Sequence, residues 1–175
     1  MIESRELLLA VPGDTTDIYA RHQQVWAAIA PNVRSGQEFL YRQESPRLIR
    51  VRSNALPNGK PVMLRDGWMR LDAVVSDRYD RNKERDVPED QAVAWISKLV
   101  QNAGFDIRSI ELERYLIVTG RKPSKEGVPG HRIRYSTATF RMDLAVNNPF
   151  EAQQAWRQGI GRGRRFGFGM LVHAQ

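Results

Sequence analysis

The sequence predicts an α+β fold of two tandem βαββαβ units, the first of them shortened. Three observations carry this expectation. Residues 67–175 pattern as strand, helix, strand, strand, helix, strand. Residues 1–66 repeat the opening of that order and then run out of chain. The composition, 41% hydrophobic and 27% charged over 175 residues, is that of a globular chain with room for one domain or two small ones.

Each element has a local cause. Glu3 to Val11 reads as a strand around Leu7, Leu8 and Leu9, ended by the turn residues Pro12, Gly13 and Asp14. A helix follows, capped by Thr15 or Thr16 with Asp17 in its first turn, and carries Ile18, Val25, Trp26 and Ile29 on to Pro31. Glu38 to Glu44 and Arg47 to Ser53 are two short strand segments split by Ser45 and Pro46. The second alternates Ile49 and Val51 with Arg50 and Arg52, so one face packs while the other presents guanidinium groups. Asn54 to Lys60 reads as loop, and Gly67 to Val75 resumes strand character.

Asp77 to Asp86, DRYDRNKERD, is almost free of apolar residues and reads as a linker or exposed loop. Pro88, Glu89 and Asp90 then open a helix whose stripe is Ala92, Trp95, Ile96, Leu99 and Ala103, closed by Gly104. Ile107 to Val118 and Ile133 to Val146 are long strands joined by the loop RKPSKEGVPG. Asn148, Pro149 and Glu151 supply cap, first position and third position of a last helix, which stops at Gly159. Phe166 to Ala174 closes the chain as a strand interrupted by glycine. This is the order of ferredoxin-like folds, the plan that RNA-recognition modules also use. The boundary falls between an N-terminal domain, residues 1–66, and a C-terminal domain, residues 67–175.

The formal charge is +7, and 22 of the 27 cations are Arg, whose planar fork suits bidentate phosphate contacts. They cluster: residues 47 to 70 hold six cations against the single acid Asp66, and residues 121 to 141 hold six against Glu126. After Glu151 there is no acid, while Arg157, Arg162, Arg164 and Arg165 crowd together. A polyanionic partner follows, nucleic acid ahead of an acidic protein or a membrane, with a merely basic surface as the bland alternative. Without cysteine there is no disulfide framework, thiolate nucleophile or Cys-ligated zinc, and no apolar run approaches the ~20 residues of a membrane span. A cytoplasmic protein is expected.

Little conventional catalytic equipment is present. The tail from Gly159 to Gly169 has neither a dinucleotide fingerprint nor a phosphate loop, though its glycines leave room for close approach of a ligand among Arg and Phe. No His pair or acidic cluster has metal-ligand spacing, and no serine elbow occurs. His22 falls between Ile18 and Trp26, where a lone His is ordinarily a core residue. Tyr19 and His22, at i and i+3, share one side of the helix. RNA brings its own nucleophile, the 2′-OH, and needs from a protein only proton management, cations and in-line geometry.

With those residues in view, the chain resembles the CasE (Cse-type) CRISPR repeat endoribonucleases of type I-E systems, in the RAMP superfamily. The likeness rests on D17-I-Y-A-R-H22-Q-Q-V-W26 and E38-F-L-Y-R-Q-E44. It continues in A94-W-I-S-K-L99 with N102-A-G104, and in T139-F-R-M-D-L144 leading into Q158-G-I-G-R-G-R-R-F-G-F-G-M-L171. The resemblance implies binding of a CRISPR repeat stem-loop and one metal-independent cut at the 3′ base of the stem, leaving a cyclic or 3′-phosphate end. The product crRNA would be kept within the Cascade complex alongside its other subunits, with no cofactor. By the same resemblance His22 matches the catalytic histidine and Tyr19 its partner, while Arg164 falls at a basic position of the glycine loop. Candidate RNA contacts are Arg121, Lys122, Lys125, Arg132 and Arg134 on the second-domain hairpin, with Arg162, Arg164 and Arg165. Two departures stand out. The stretch from Ser53 to Trp68 is short, which points to a missing strand, and R70-L-D-A-V-V75 places an acid where relatives tend to be basic or neutral. The alternatives are a non-catalytic RNA-binding subunit of the same superfamily, and a general RNA-binding module, which would need exposed aromatics on its central strands, where this chain has mostly Arg, Thr and Ser.

Overall fold

The computed structural model describes residues 3–34, 37–81 and 83–175. Two four-stranded antiparallel sheets organise the chain. The first joins β1 (Ser4–Ala10), β2 (Leu40–Ser45), β3 (Leu48–Ser53) and β4 (Lys60–Val62) in the order β2-β3-β1-β4. Its register sets Leu7 opposite Val51 and Leu9 opposite Ile49. Helix α1 (Ile18–Ile29) closes over that face, with Val25, Ile29, Tyr41, Ile49 and Val51 in one core.

The second sheet runs β10-β5-β9-β8, from β5 (Gly67–Val74), β8 (Phe105–Lys122), β9 (His131–Val146) and β10 (Val172–His173). Helices α2 (Glu89–Asn102) and α3 (Pro149–Gln158) cover it, burying Met69, Leu71, Ile96, Phe140, Met142 and Trp156. Both sheets follow the strand order of a ferredoxin-like unit, in which the fourth strand pairs beside the first. Asn148 caps α3 as its sequence signals, its side chain accepting from the Phe150 and Glu151 amides. No helix among the described residues is long and apolar enough to cross a membrane.

Four expectations need correction. The first unit does not lack a strand: β4 pairs with β1 from Ser4↔Val62 to Glu6↔Lys60. What it lacks is the second helix, because the tight turn of residues 54–59, with Gly59 donating to Leu56, leaves no room for one. The charged stretch 77–86 is no linker but most of a ribbon, β6 (Ser76–Asp80) with β7 (Lys83–Asp86); Asn82 lies outside the described residues. The cap of α1 is neither threonine but Asp17, whose carboxylate accepts from the Ala20 amide at 2.9 Å. Finally, the last strand shrinks to Val172–His173, preceded by a 3-10 turn at Arg164–Phe166. Gly167 and Gly169 there take φ of 90° and 87°, a left-handed backbone that an extended strand cannot contain.

Among the contacts that join the two units, two stand out. Asp17 uses its other oxygen to accept from the Arg121 amide at 2.8 Å, fixing the start of α1 onto β8. The approach is so close that a Cβ on Gly120 would lie 2.9 Å from the Tyr19 amide nitrogen. Across the interface, the Arg52 guanidinium is buried and donates to Glu6 on its own sheet and to the Trp156 and Leu171 carbonyls of the other unit.

Candidate active site

The inward face of α1 is Ile18, Arg21, Val25 and Ile29, so the buried polar position is Arg21 and not His22. Arg21 spends its donors on the Pro12, Thr15 and Pro46 carbonyls, tying down the loop that enters the helix. One residue further round, His22 is half-buried and turns toward the glycine loop, which overturns the core-histidine expectation. Its ring meets the Phe166 ring edge-on at 5.7 Å and 72°, and lies 6.5 Å from the Tyr19 ring. Tyr19 itself packs in an apolar group with Ile18, Ile133, Phe166 and Phe168.

The cleft in front of His22, about 820 Å³, is bounded by α1, β2, the end of α3 and the glycine loop. Trp26 and Phe39 form an apolar wall, and Arg157, Arg164 and Arg165 supply charge. Burial, and then the nearby Arg165 charge, hold the imidazole below its ordinary pKa of 6.5. His22 is therefore neutral at pH 7 and able to accept a proton. Its Nδ1 is buried without a hydrogen-bond partner among the described residues.

The loop that presents these arginines is fixed. The Ile160 amide donates to the Gly169 carbonyl at 2.8 Å, and the Gly169 amide to the Asp72 carbonyl at 2.7 Å. Tyr41, fully buried, donates its hydroxyl to the Arg165 carbonyl at 3.1 Å, and burial raises its pKa. Its ring fills the space above Gly167, where a Cβ would lie 2.7 Å away. Arg164 donates to the Gln158 carbonyl at 2.8 Å, folding the loop back onto α3.

The remaining sequence-derived cations divide into two sets. Arg121, Lys125 and Arg132 are exposed at the outer end of the β8–β9 hairpin, with Lys122 half-buried among them. The register sets Arg121 opposite Arg132, like charges that repel across the ladder and favour an anion between or above them, with Lys122 beside them. Arg134 and Arg162 are already engaged by the ribbon: Arg134 pairs with Asp86 at 3.0 Å, and Arg162 pairs with Glu84 and donates to Ser76 at 3.1 Å. The unexpected acid Asp72 proves to be a structural partner. It accepts from the Thr139 hydroxyl at 2.6 Å and lies 3.5 Å from the buried Arg42.

Sequence reasoning missed Tyr41 as a loop anchor and Arg157 and Phe39 as cleft residues. Tyr41 carries no local signal, since its partner Arg165 is 124 positions away.

A family model for "CRISPR associated protein" matches residues 60–174. A search of curated proteins returns no match. Among solved structures, the fold is similar to CRISPR endoribonuclease Cse3 bound to a 19-nucleotide RNA, with 18% identity, coverage of 99% of this chain and 98% of that one, and a TM-score of 0.77. It is similar to the CRISPR-associated protein Cas6e from Escherichia coli K-12, with 18% identity over 97% of each chain and a TM-score of 0.63. A chain of a CRISPR RNA-guided surveillance complex is similar at 16% identity over 95% of this chain and 97% of that one, with a TM-score of 0.68. With the family model spanning residues 60–174 and both ferredoxin-like sheets in place, the chain belongs to the CRISPR-associated protein family.

Proposed function

We propose that this chain is a metal-independent endoribonuclease that binds the stem-loop of a CRISPR repeat and cuts the precursor once, at the 3′ base of the stem. The observation that carries the reading is the neutral, half-buried His22 facing a cleft lined by Arg157, Arg164 and Arg165. His22 takes the proton from the 2′-OH, the 2′-oxygen bonds to the adjacent phosphorus, and the 5′-oxygen leaves and takes a proton from water. The products are a 2′,3′-cyclic phosphate and a 5′-hydroxyl. The arginines stabilise the charge that builds on the phosphorane oxygens, and Tyr19 orients the 2′-OH or the phosphate. Arg121, Lys122, Lys125 and Arg132 hold the stem by its phosphates, with Arg134 and Arg162 joining once released from Asp86 and Glu84. The names of the similar structures, an RNA-bound endoribonuclease and a surveillance complex, support the same substrate and a place beside other complex subunits. We set the domain boundary between residues 66 and 67 and the site of action in the cytoplasm, where the transcript is made.

Two measurements test the reading. Because the base form is required, the single-turnover rate should rise with pH through an apparent pKa below 6.5 and then level. Arg165→Gln, which removes a charge that disfavours the imidazolium, should move that limb upward. A rate flat from about pH 5 to pH 8 would count against His22 as base. Binding of the stem-loop should weaken with salt on a log-log slope of several units, about 0.9 per phosphate neutralised. A slope near zero would remove the electrostatic account of binding.

A further inference from the structure

We infer that the Trp26–Phe39 wall of the cleft is a nucleobase subsite, which stacks the first unpaired base on the 3′ side of the scissile phosphate. The inference rests on the ribonuclease reading and extends it by one nucleotide. Trp26 follows His22 by four residues, one helical turn and about 6 Å along the same side of α1. Its ring lies 5.6 Å from the Phe39 ring, tilted by 35°. Both rings are half-buried: they pack against the core of the first sheet and border the cleft.

Three functions thus lie in order along one helix. At its start, Asp17 holds the root of the basic hairpin through the Arg121 amide. His22 stands next, facing the arginines of the glycine loop, and Trp26 lies a turn beyond. A strand whose paired stem sits on the hairpin and whose scissile phosphate sits at His22 delivers its next nucleotide to Trp26. On the 5′ side of the cut the base is held in the stem, so only the nucleotide beyond the cut is free to splay out. Two cations border the same cleft, Arg157, paired with Glu38 at 3.5 Å, and Arg164, donating to the Gln158 carbonyl; exchanging those partners for RNA, they would meet the phosphates on either side of that base. Beside the rings, Glu38 accepts from Gln158 at 3.2 Å, offering polar edges without a fixed code. Stacking of this kind tolerates any base, since every base has a π face.

The test uses an uncleavable repeat RNA, with a 2′-deoxynucleotide before the scissile phosphate and 2-aminopurine as the first base after it. In the unaltered protein the 2-aminopurine fluorescence should be quenched on binding. Trp26→Leu should abolish the quench and weaken binding of the extended RNA by roughly 5- to 150-fold, the range for loss of one base stack. A hairpin ending at the cut should bind this variant as it binds the unaltered protein, and Trp26→Phe should restore the quench. If Trp26→Leu does not fold, Phe39→Leu takes its place with the same expectation. Quenching that persists in the leucine variant, or equal weakening of both RNAs, overturns the subsite. Because the RNA cannot be cut, the readout stands apart from catalysis. His22→Ala should leave the quench intact, and normal cleavage by His22→Ala would refute the ribonuclease mechanism while the subsite stood.

Discussion

His22→Ala is expected to lower the single-turnover cleavage rate by about 10²-fold or more, the scale on which a positioned acid or base contributes. Stem-loop affinity should hardly change, because the hairpin cations and the glycine-loop arginines remain in place. Thermal stability should also hold. The imidazole is half-buried, its Nδ1 makes no hydrogen bond among the described residues, and its aromatic neighbours are held by other contacts. Lost rate with retained binding and melting temperature separates a proton-transfer role from a packing role. A joint collapse of affinity and stability would make His22 a structural residue, and the cleft would then lose the base on which the mechanism rests.

The largest effect on stability is expected at Arg52. Its guanidinium is 2% exposed, stacks 3.4 Å above the Trp156 ring, and donates to Glu6 and to the Trp156 and Leu171 carbonyls at 2.8 and 2.7 Å. Burial lowers its pKa to about 10, with Glu6 opposing the shift, so the group is still charged at neutral pH. Arg52→Leu removes the cation, leaves two interior carbonyls without donors, and leaves the largely buried Glu6 carboxylate with Arg50 as its remaining partner at 3.0 Å. Breaking such a pair from one side costs about 3–5 kcal/mol, a large part of the stability of a chain this size. Urea unfolding should show the midpoint fall with the slope m unchanged. A loss below about 1 kcal/mol would mean that water replaces the guanidinium and that the units do not depend on this link.

What the sequence could and could not disclose follows from the range of each interaction. The caps and stripes of α2 and α3 are local, and Asn148, Pro149 and Glu151 serve the last helix as their spacing implies. The ribbon of 76–80 with 83–86 was illegible because it has no apolar alternation; ion pairs across its strands, such as Arg78–Glu84 and Arg85–Asp77, stand where apolar side chains would be. The apolar period of α1 misled at one position. Arg21, needed by three carbonyls in the turns around it, takes the inward place and so turns His22 out to the cleft. The spacing put Tyr19 and His22 on one side of α1, and their rings lie 6.5 Å apart. The wall of Trp26 and Phe39 and the anchoring of Arg165 by Tyr41 were not, because each joins segments that only the folded sheets bring together.

The most direct test is incubation of the protein with a repeat stem-loop RNA in EDTA, followed by analysis of both new ends. A single cut at the 3′ base of the stem is predicted, leaving a 2′,3′-cyclic phosphate or its 3′-phosphate on one fragment and a 5′-hydroxyl on the other. Binding without cleavage, cleavage that returns only with a divalent cation, or a fragment bearing a 5′-phosphate would contradict it.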